Sequence, residues 1–205
     1  MPFDPKTHHR RSIRLKGYDY AEPGAYFIAT VTWQRELLFG DIVGGEMVLN
    51  RSGRIVESAW SDLPRHYPHV ELGAFIIMPN HIHGILMLVD VVGASRGGSS
   101  LRGQSVSLES AEVSKESLLT SQTRPYAATA KRRPLCEIVR AFKSFSARRI
   151  NALRQTAGIP VWQRNYYERV IRNEGEMGSS WRYIEANPVM WGKDDENPYC
   201  ITVKS

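Results

Sequence analysis

Two histidines on either side of one isoleucine, His81-Ile82-His83, are the residues of this chain best suited to chemistry. They begin an apolar run that extends to Val89 and is typical of a β-strand. Because strand side chains alternate between two faces, both imidazoles are predicted to project from one face while Ile82 points to the other. Two convergent imidazoles supply half of a metal site, or a polar pair beside a phosphate.

A pattern as short as His-x-His also fits two partly exposed histidines at the start of an ordinary strand. Its setting favours a functional pair here. The two histidines follow Met78-Pro79-Asn80, which interrupts the preceding apolar strand, and they precede a stretch apolar enough for a central strand. We therefore predict that a rigid scaffold holds both imidazoles.

The last predicted helix carries a second candidate, Tyr183. Asn187 follows it by four residues, a spacing that places both side chains on one face of a helix. A tyrosine oxygen beside a metal ligand can attack a metal-polarised phosphate and form a phosphotyrosine link. The alternative interpretation is an aromatic residue of the core, but three neighbours are the better core candidates: Trp181, Ile184 and Val189.

Strands and helices alternate along the chain. β-Branched and aromatic residues predict strands over 26–33, 46–49, 70–77 and 81–89, and a further short strand within 161–171. Apolar periodicity predicts three helices: one from a cap at Asn50 or Ser52 to about Leu63, one over 135–153 and one over 174–186. Prolines are expected to end two of these helices, Pro64 and Pro68 the first, and Pro188 with Asn187 the last.

These elements predict one domain over 25–195, with a basic arm over 1–24 and a tail over 196–205. Residues 93–133 inside this domain are rich in Ser, Gly, Ala and Thr and lack sustained periodicity. Such composition indicates a flexible low-complexity insertion rather than a second domain. We find no function for this insertion in the sequence.

A formal net charge of +6 over 205 residues favours a polyanionic partner. The predicted DNA-binding cations lie in the arm and on the helix over 135–153: Arg10, Arg11, Arg14, Lys16, Arg140, Lys143, Arg148 and Arg149. The two cysteines form no paired motif, and no apolar run is long enough to cross a bilayer. We therefore expect a cytoplasmic protein, associated with the nucleoid when bound to DNA, with no membrane partner.

Three segments together resemble the single-tyrosine HUH transposases, and in particular the REP-associated tyrosine transposases: MPNHIHGIL, VWQRNYYERVIRNE and YIEANPVMW. The resemblance extends from GAYFIATVTWQRE to NPVMWG, with the predicted insertion outside it. It implies an α+β fold of the ferredoxin-like sandwich type. In that fold an antiparallel sheet has helices mainly on one face, the histidine pair lies on a central strand, and a C-terminal helix carries the tyrosine.

The resemblance also implies a role for each matching residue. His81 and His83 correspond to the metal ligands, and Asn187 stands where many relatives have a glutamine that completes the site of a divalent ion, Mg²⁺ or Mn²⁺. Tyr183 corresponds to the nucleophile. Two rival tyrosines, Tyr166 and Tyr167, are assigned to structure or DNA contact, because no helical ligand partner accompanies them.

The implied activity is the cleavage and rejoining of single-stranded DNA at hairpin-forming repeats, through a 5′-phosphotyrosine intermediate. The implied enzyme acts as a monomer or a homodimer. Two alternatives remain open from the residues themselves. One is a nucleic-acid-binding protein without catalysis, and the other is a metal-dependent hydrolase that activates water and keeps Tyr183 in its core.

Overall fold

An antiparallel sheet organises the part of the chain that the computed structural model describes, residues 17–90 and 132–200. The elements follow in this order: β1 (Gly24–Val31), β2 (Gly40–Val43), β3 (Glu46–Leu49), α1 (Arg51–Ser61), α2 (Leu63–His66), β4 (Val70–Ile77), β5 (His81–Leu88), α3 (Leu135–Arg154), β6 (Tyr167–Ile171) and α4 (Glu174–Met190). Short 3-10 helices lie at Trp33–Arg35 and Trp191–Lys193.

The four-stranded sheet has the order β4-β5-β1-β6, and every neighbouring pair is antiparallel. The connection from β1 to β4 runs through α1 and passes over β5, and the connection from β5 to β6 includes α3 and passes over β1. Two split β-α-β units of this kind make a ferredoxin-like sandwich. The predicted α+β fold, with β5 as a central strand, is therefore confirmed.

One face of the sheet carries the larger hydrophobic core, covered by α1 and α3. Ile82 and Leu86 of β5 are fully buried there against helix residues that include Trp60 and Phe142. The Trp60 indole stacks on Phe75 of β4, with ring centroids 4.5 Å apart. Ile82 thus points into the apolar layer that the alternation of strand side chains predicted for it.

The opposite face of the sheet is covered in part by α4. Ile184 of this helix packs with Phe27, Ile85 and Ile171 from three strands of the sheet. The stripe of α4 that the sheet buries is narrow: Ser180, Ile184, Asn187 and Pro188. The helix leaves much of its remaining surface exposed beside this second face.

Neither Pro64 nor Pro188 ends the helix that it was expected to end, whereas Pro68 directly follows Tyr67, the C-cap of α2. Pro64 lies in the first turn of α2, where a missing N–H costs no helical hydrogen bond, so it begins a short second helix. Pro188 lies inside α4, which continues to Met190. The Trp191 N–H bonds the Pro188 carbonyl oxygen, so the chain closes one more turn after losing a single bond.

Of the three residues of α4 that were expected in the core, two are not buried. Trp181 is 42% exposed and Val189 75% exposed, and only Ile184 is buried. The apolar side chains of Trp181 and Val189 suggested burial, but their residue types do not show how few residues of α4 contact the sheet. The sequence also failed to predict β2, which pairs with β3 as a separate hairpin.

Several expectations fall on residues outside the described ranges. These include the arm cations Arg10, Arg11, Arg14 and Lys16, almost all of the predicted insertion and the end of the predicted tail. The predicted domain bounds stay predictions. Among the described helices, none has the length and apolar character needed to span a membrane.

Gly84 separates the histidine pair from the rest of β5 and lies against Trp60. A Cβ atom on Gly84 would lie 2.5 Å from Trp60 Cζ2 and 3.0 Å from Phe75 Cδ2. Gly84→Ala should therefore lower the free energy of unfolding by about 1–3 kcal/mol, measured by urea denaturation. Gly192→Ala is the control, because nothing lies within 4 Å of its Cβ position. Equal effects of the two changes would contradict this packing.

Candidate metal centre

The two histidines lie at the start of β5, on the face of the sheet opposite α1 and α3. His81 is fully buried and His83 nearly so, with ring centroids 4.6 Å apart and the rings at 69°. The chain turns between β4 and β5 through Met78, whose N–H bonds the carbonyl oxygen of His81. A strand with neighbours on both sides fixes where both imidazoles point.

Asn80 orients the first imidazole. Its Oδ1 lies 2.9 Å from His81 Nδ1, and its Nδ2 donates to the backbone oxygens of Arg35 at 3.2 Å and Glu196 at 2.7 Å. Because both amide hydrogens have acceptors, Oδ1 faces the imidazole, and His81 Nδ1 must be the donor to it. His81 Nε2 then presents its lone pair to the site, as in a metal ligand that a second residue orients.

The acceptor at Arg35 depends on an uncommon backbone. Gln34 and Arg35 both have left-handed conformations, with φ values of 55° and 57°. Such residues cost free energy and persist only where surrounding contacts hold them. The Arg35 side chain also makes an ion pair of 2.7 Å with Glu196, so the segment after β1 and the segment after α4 are tied together.

Asp194 joins the two histidines in a cluster that the sequence did not reveal. One ring nitrogen of each histidine and one Asp194 carboxylate oxygen all lie within 4.8 Å of one another. Asp194 Oδ2 is 3.7 Å from His81 Nε2. The acidic run Asp194-Asp195-Glu196 was visible, but no spacing rule connects it with residues more than a hundred positions earlier.

Tyr183 and Asn187 reach the same place from α4. The Tyr183 hydroxyl is 3.5 Å from His83 Nε2, and its side chain is 51% exposed. Phe27 of β1 lies beneath both groups, stacked on His83 and edge-on to Tyr183. Asn187 is buried beside His81 and Tyr183, close enough to influence the pKa of each.

Burial has the largest effect on the pKa values of His81 and His83. It lowers the pKa of His81 to about 4, although the neighbouring Asn187 acts in the opposite direction. Burial, followed by repulsion from His81, lowers the pKa of His83 to about 3. Both imidazoles are therefore neutral near pH 7 and able to offer lone pairs.

The pKa values of the Tyr183 phenol and the Asp194 carboxyl are raised instead. Burial raises the pKa of Tyr183, which Asn187 partly offsets and the carboxylates of Asp194, Asp195 and Glu196 reinforce. Burial also raises the pKa of Asp194. A cation close to these groups would stabilise both of their ionised forms.

The residues present fit a divalent cation. Three polar atoms here are buried without a hydrogen-bond partner among the described residues: His81 Nε2, His83 Nδ1 and Asn187 Oδ1. Buried polar atoms nearly always have partners, and imidazole nitrogen with carboxylate and amide oxygen suits a divalent metal. Ligands at about 2.1 Å from an ion lie at most about 4.2 Å apart, so a small inward movement of this cluster suffices.

The predicted DNA-binding cations of α3 lie on the other side of the sheet. This helix covers the larger core, and Arg140, Arg148 and Arg149 are exposed on its outer surface. Lys143 instead donates to the backbone oxygens of Gln163, Arg164 and Asn165, and burial lowers its pKa to about 8. The role of these cations in DNA binding stays a prediction, but none of them adjoins the histidine pair.

The two rival tyrosines lie on opposite faces of the sheet. Tyr166 packs against the larger core between the sheet and α3. Tyr167 lies on the face of the histidine pair, half-exposed and edge-on to Phe27 at 6.1 Å. The Tyr183 hydroxyl, in comparison, contacts His83 of the pair.

The chain is 37% identical over 192 residues to an uncharacterized protein of Haemophilus influenzae, covering 94% of this chain and 95% of that protein. The sequence matches no family model. Among solved structures, the fold is similar to that of a REP-associated tyrosine transposase bound to a REP hairpin. That likeness has a TM-score of 0.49 and 17% identity, covering 87% of this chain and 73% of the other.

Asn80 gives the first test of this site. Asn80→Ala removes the acceptor that orients His81, so we expect the affinity for Mn²⁺ to fall about 10-fold to 100-fold. The measurement is isothermal titration of the chelator-treated protein with Mn²⁺. Thermal denaturation of the metal-free variant shows whether the fold persists. Unchanged Mn²⁺ affinity in a folded variant would exclude a positioning role for Asn80.

Asp194 gives a second test, with its neighbour as a matched control. An ion that binds the folded state raises the melting temperature, because it binds the unfolded chain more weakly. We expect Mn²⁺ to raise the melting temperature of the wild type and of Asp195→Asn by similar amounts, and that of Asp194→Asn by much less. A similar rise in all three proteins would show that the Asp194 carboxylate is not a ligand.

Proposed function

This chain belongs to the same family as the Haemophilus influenzae protein, and we propose that it is a transposase-type enzyme that cleaves and rejoins single-stranded DNA. The observation that carries the proposal is the position of Tyr183, which is half-exposed and whose hydroxyl lies 3.5 Å from a buried histidine of a three-residue candidate ligand cluster. A nucleophile must reach a substrate from solvent while it remains beside the group that activates it.

The exposure of Tyr183 supports this proposal over the two alternatives. A hydrolase that uses water has no need of a phenol at the surface of its ligand cluster. A protein that only binds nucleic acid has no need of two imidazoles desolvated enough to lower the pKa of both below 5. Perturbed groups that meet at a partly open face are typical of catalysis.

His81, His83 and Asp194 are the residues we assign to a divalent cation, with Asn187 as a further oxygen donor. Mg²⁺ or Mn²⁺ held there would supply Lewis-acid polarisation of a phosphate oxygen. Asn80 would keep His81 in the tautomer that offers Nε2. Phe27 packs under His83 and Tyr183 and limits the movement of both rings.

The chemical step assigned to Tyr183 exchanges one phosphate ester for another. Its phenol loses a proton to water, which its exposure permits, and its oxygen forms a new bond to phosphorus. The bond from phosphorus to the 3′-oxygen breaks, and that oxygen takes up a proton. The products are a 5′-phosphotyrosine and a free 3′-hydroxyl. Attack by another 3′-hydroxyl reverses the exchange and rejoins strands without a nucleoside triphosphate.

Because burial raises the pKa of Tyr183, ionisation of its phenol would depend on positive charge nearby. At neutral pH the phenol is protonated, and burial together with nearby carboxylates keeps it so. Positive charge at the His81–His83–Asp194 cluster would oppose these effects and favour the phenolate. The substrate class, a hairpin with a flanking single strand, follows from the resemblance of the three sequence segments.

Covalent capture tests the proposal. Labelled single-stranded hairpin DNA from repeats of the same genome is incubated with the protein and Mn²⁺, then run on a denaturing gel. We expect a labelled protein–DNA adduct in the wild type, none in Tyr183→Phe or with excess chelator, and at least about 100-fold less in His81→Ala.

Tyr199→Phe is the matched control, because it removes the hydroxyl of an exposed tyrosine that has no assigned part in the site. It should form the adduct as the wild type does. An adduct that survives in Tyr183→Phe would refute the nucleophile, and cleavage without any adduct would favour the water-dependent hydrolase. Salt-sensitive binding with neither cleavage nor adduct would favour the non-catalytic binding protein.

A further inference from the structure

Two side chains of β6 lie on the face of the histidine pair and have no part in the ligand cluster. Tyr167 pairs with Ala29 and Arg169 with Phe27 in the register of β6 with β1. β6 is an edge strand, so these side chains border both the site and solvent. Both residues are exposed.

The Arg169 guanidinium shares an aromatic neighbour, Phe27, with the candidate nucleophile. Its carbon lies 6.0 Å from the ring centroid of Phe27, the ring that also contacts Tyr183 at 6.0 Å. Its Nη2 donates to Ser180 Oγ at 2.9 Å, and Ser180 precedes Tyr183 by three residues on the same helix. One hydrogen bond of this kind leaves most of the guanidinium donors available.

Because the charges around the site are mostly negative, a cation on this face would favour the binding of a phosphate. Asp194, Asp195 and Glu196 all act on Tyr183 electrostatically, so an approaching phosphate would meet repulsion there. Arg35 is already paired with Glu196. In the described ranges, no carboxylate lies within ion-pairing distance of Arg169.

Tyr167 adds an aromatic surface two residues away. Its ring is 39% exposed and is supported from the side by Phe27. Proteins that bind single-stranded nucleic acid combine cations on the backbone phosphates with aromatic rings on which bases stack. Tyr167 and Arg169 present both groups on the same strand face.

We propose that Tyr167 and Arg169 form a nucleotide subsite beside Tyr183, in which the guanidinium binds a backbone phosphate and the phenol ring stacks on an unpaired base. The inference rests on the proposed function, because it assumes that a single strand runs across this face to Tyr183. It places the binding of that strand on β6, away from the exposed cations of α3.

Binding is measured in a Tyr183→Phe background, so that no covalent step intervenes. The probe is a fluorescently labelled single-stranded oligodeoxynucleotide of mixed sequence, titrated by anisotropy over a range of salt concentrations. Loss of one phosphate contact should raise the Kd of Arg169→Gln about tenfold at low salt and reduce the slope of log K against log salt by about 0.7. Tyr167→Leu should raise the Kd about tenfold with the slope unchanged, because stacking releases no counterions.

Two controls separate this role from a structural one. Ser180→Ala removes the hydrogen bond that joins β6 to α4 but keeps the guanidinium, so its slope should match the parent protein. Arg54→Gln removes an exposed cation of α1, on the opposite side of the sheet, and should also leave the slope unchanged. A slope for Arg169→Gln equal to that of the parent overturns the subsite, as does the same decrease in Arg54→Gln.

The experiments distinguish a failure of the subsite from a failure of the proposed function. If the wild type forms the covalent adduct but Arg169→Gln and Tyr167→Leu bind as the parent does, the subsite is wrong and the proposed function stands. If the parent protein binds no single-stranded DNA at any salt concentration, and the wild type forms no adduct, both are wrong. Retention of the circular dichroism spectrum in each variant shows that the comparison is between folded proteins.

Discussion

The alternation of side chains along β5 controls the rest of the site. Ile82 and Leu86 are fully buried under α1 and α3, and their burial fixes the strand in one register. A slip by one residue would move His81 and His83 into that core and Ile82 out of it, which the hydrophobic effect opposes strongly. The geometry of the histidine pair is therefore determined by packing on the opposite face of the sheet. Gly84 contributes, since the close approach of Trp60 leaves no space for a larger residue.

The site joins segments that are far apart in the sequence, and Asn80 is where they meet. One amide contacts the imidazole of His81, the backbone after β1 and the backbone after α4. The same contact to Glu196 holds the segment that carries Asp194. The tautomer of His81 and the positions of both segments thus depend on a single buried side chain. This arrangement offsets part of the cost of burying neutral imidazoles, and a cation at the cluster would offset more of it.

The strands β4 and β5 and the helices α1 and α3 could be predicted from their apolar patterns, whereas the arrangement of the sheet was implied by the resemblance of three sequence segments. Of the two predicted caps, Asn50 rather than Ser52 caps α1, and the two histidines converge because strand geometry requires it. Asp194 and Arg169 could not be found in this way. Each reaches the site through the packing of α4 and β6 against the sheet, which no local pattern encodes. Pro188 misled the prediction because α4 continues past it, and the Trp191 N–H bonds the Pro188 carbonyl oxygen to close one more turn.

The central claim is that Tyr183 becomes covalently linked to DNA, and peptide mapping tests it most directly. The cross-linked protein is digested with a nuclease and then with trypsin, and the peptides are analysed by mass spectrometry. Cleavage at Arg172 separates Tyr183 from the rival pair Tyr166 and Tyr167. We predict a 5′-phosphonucleotide on the peptide that contains Tyr183. The same mass on the peptide that contains Tyr166 and Tyr167 would contradict the account.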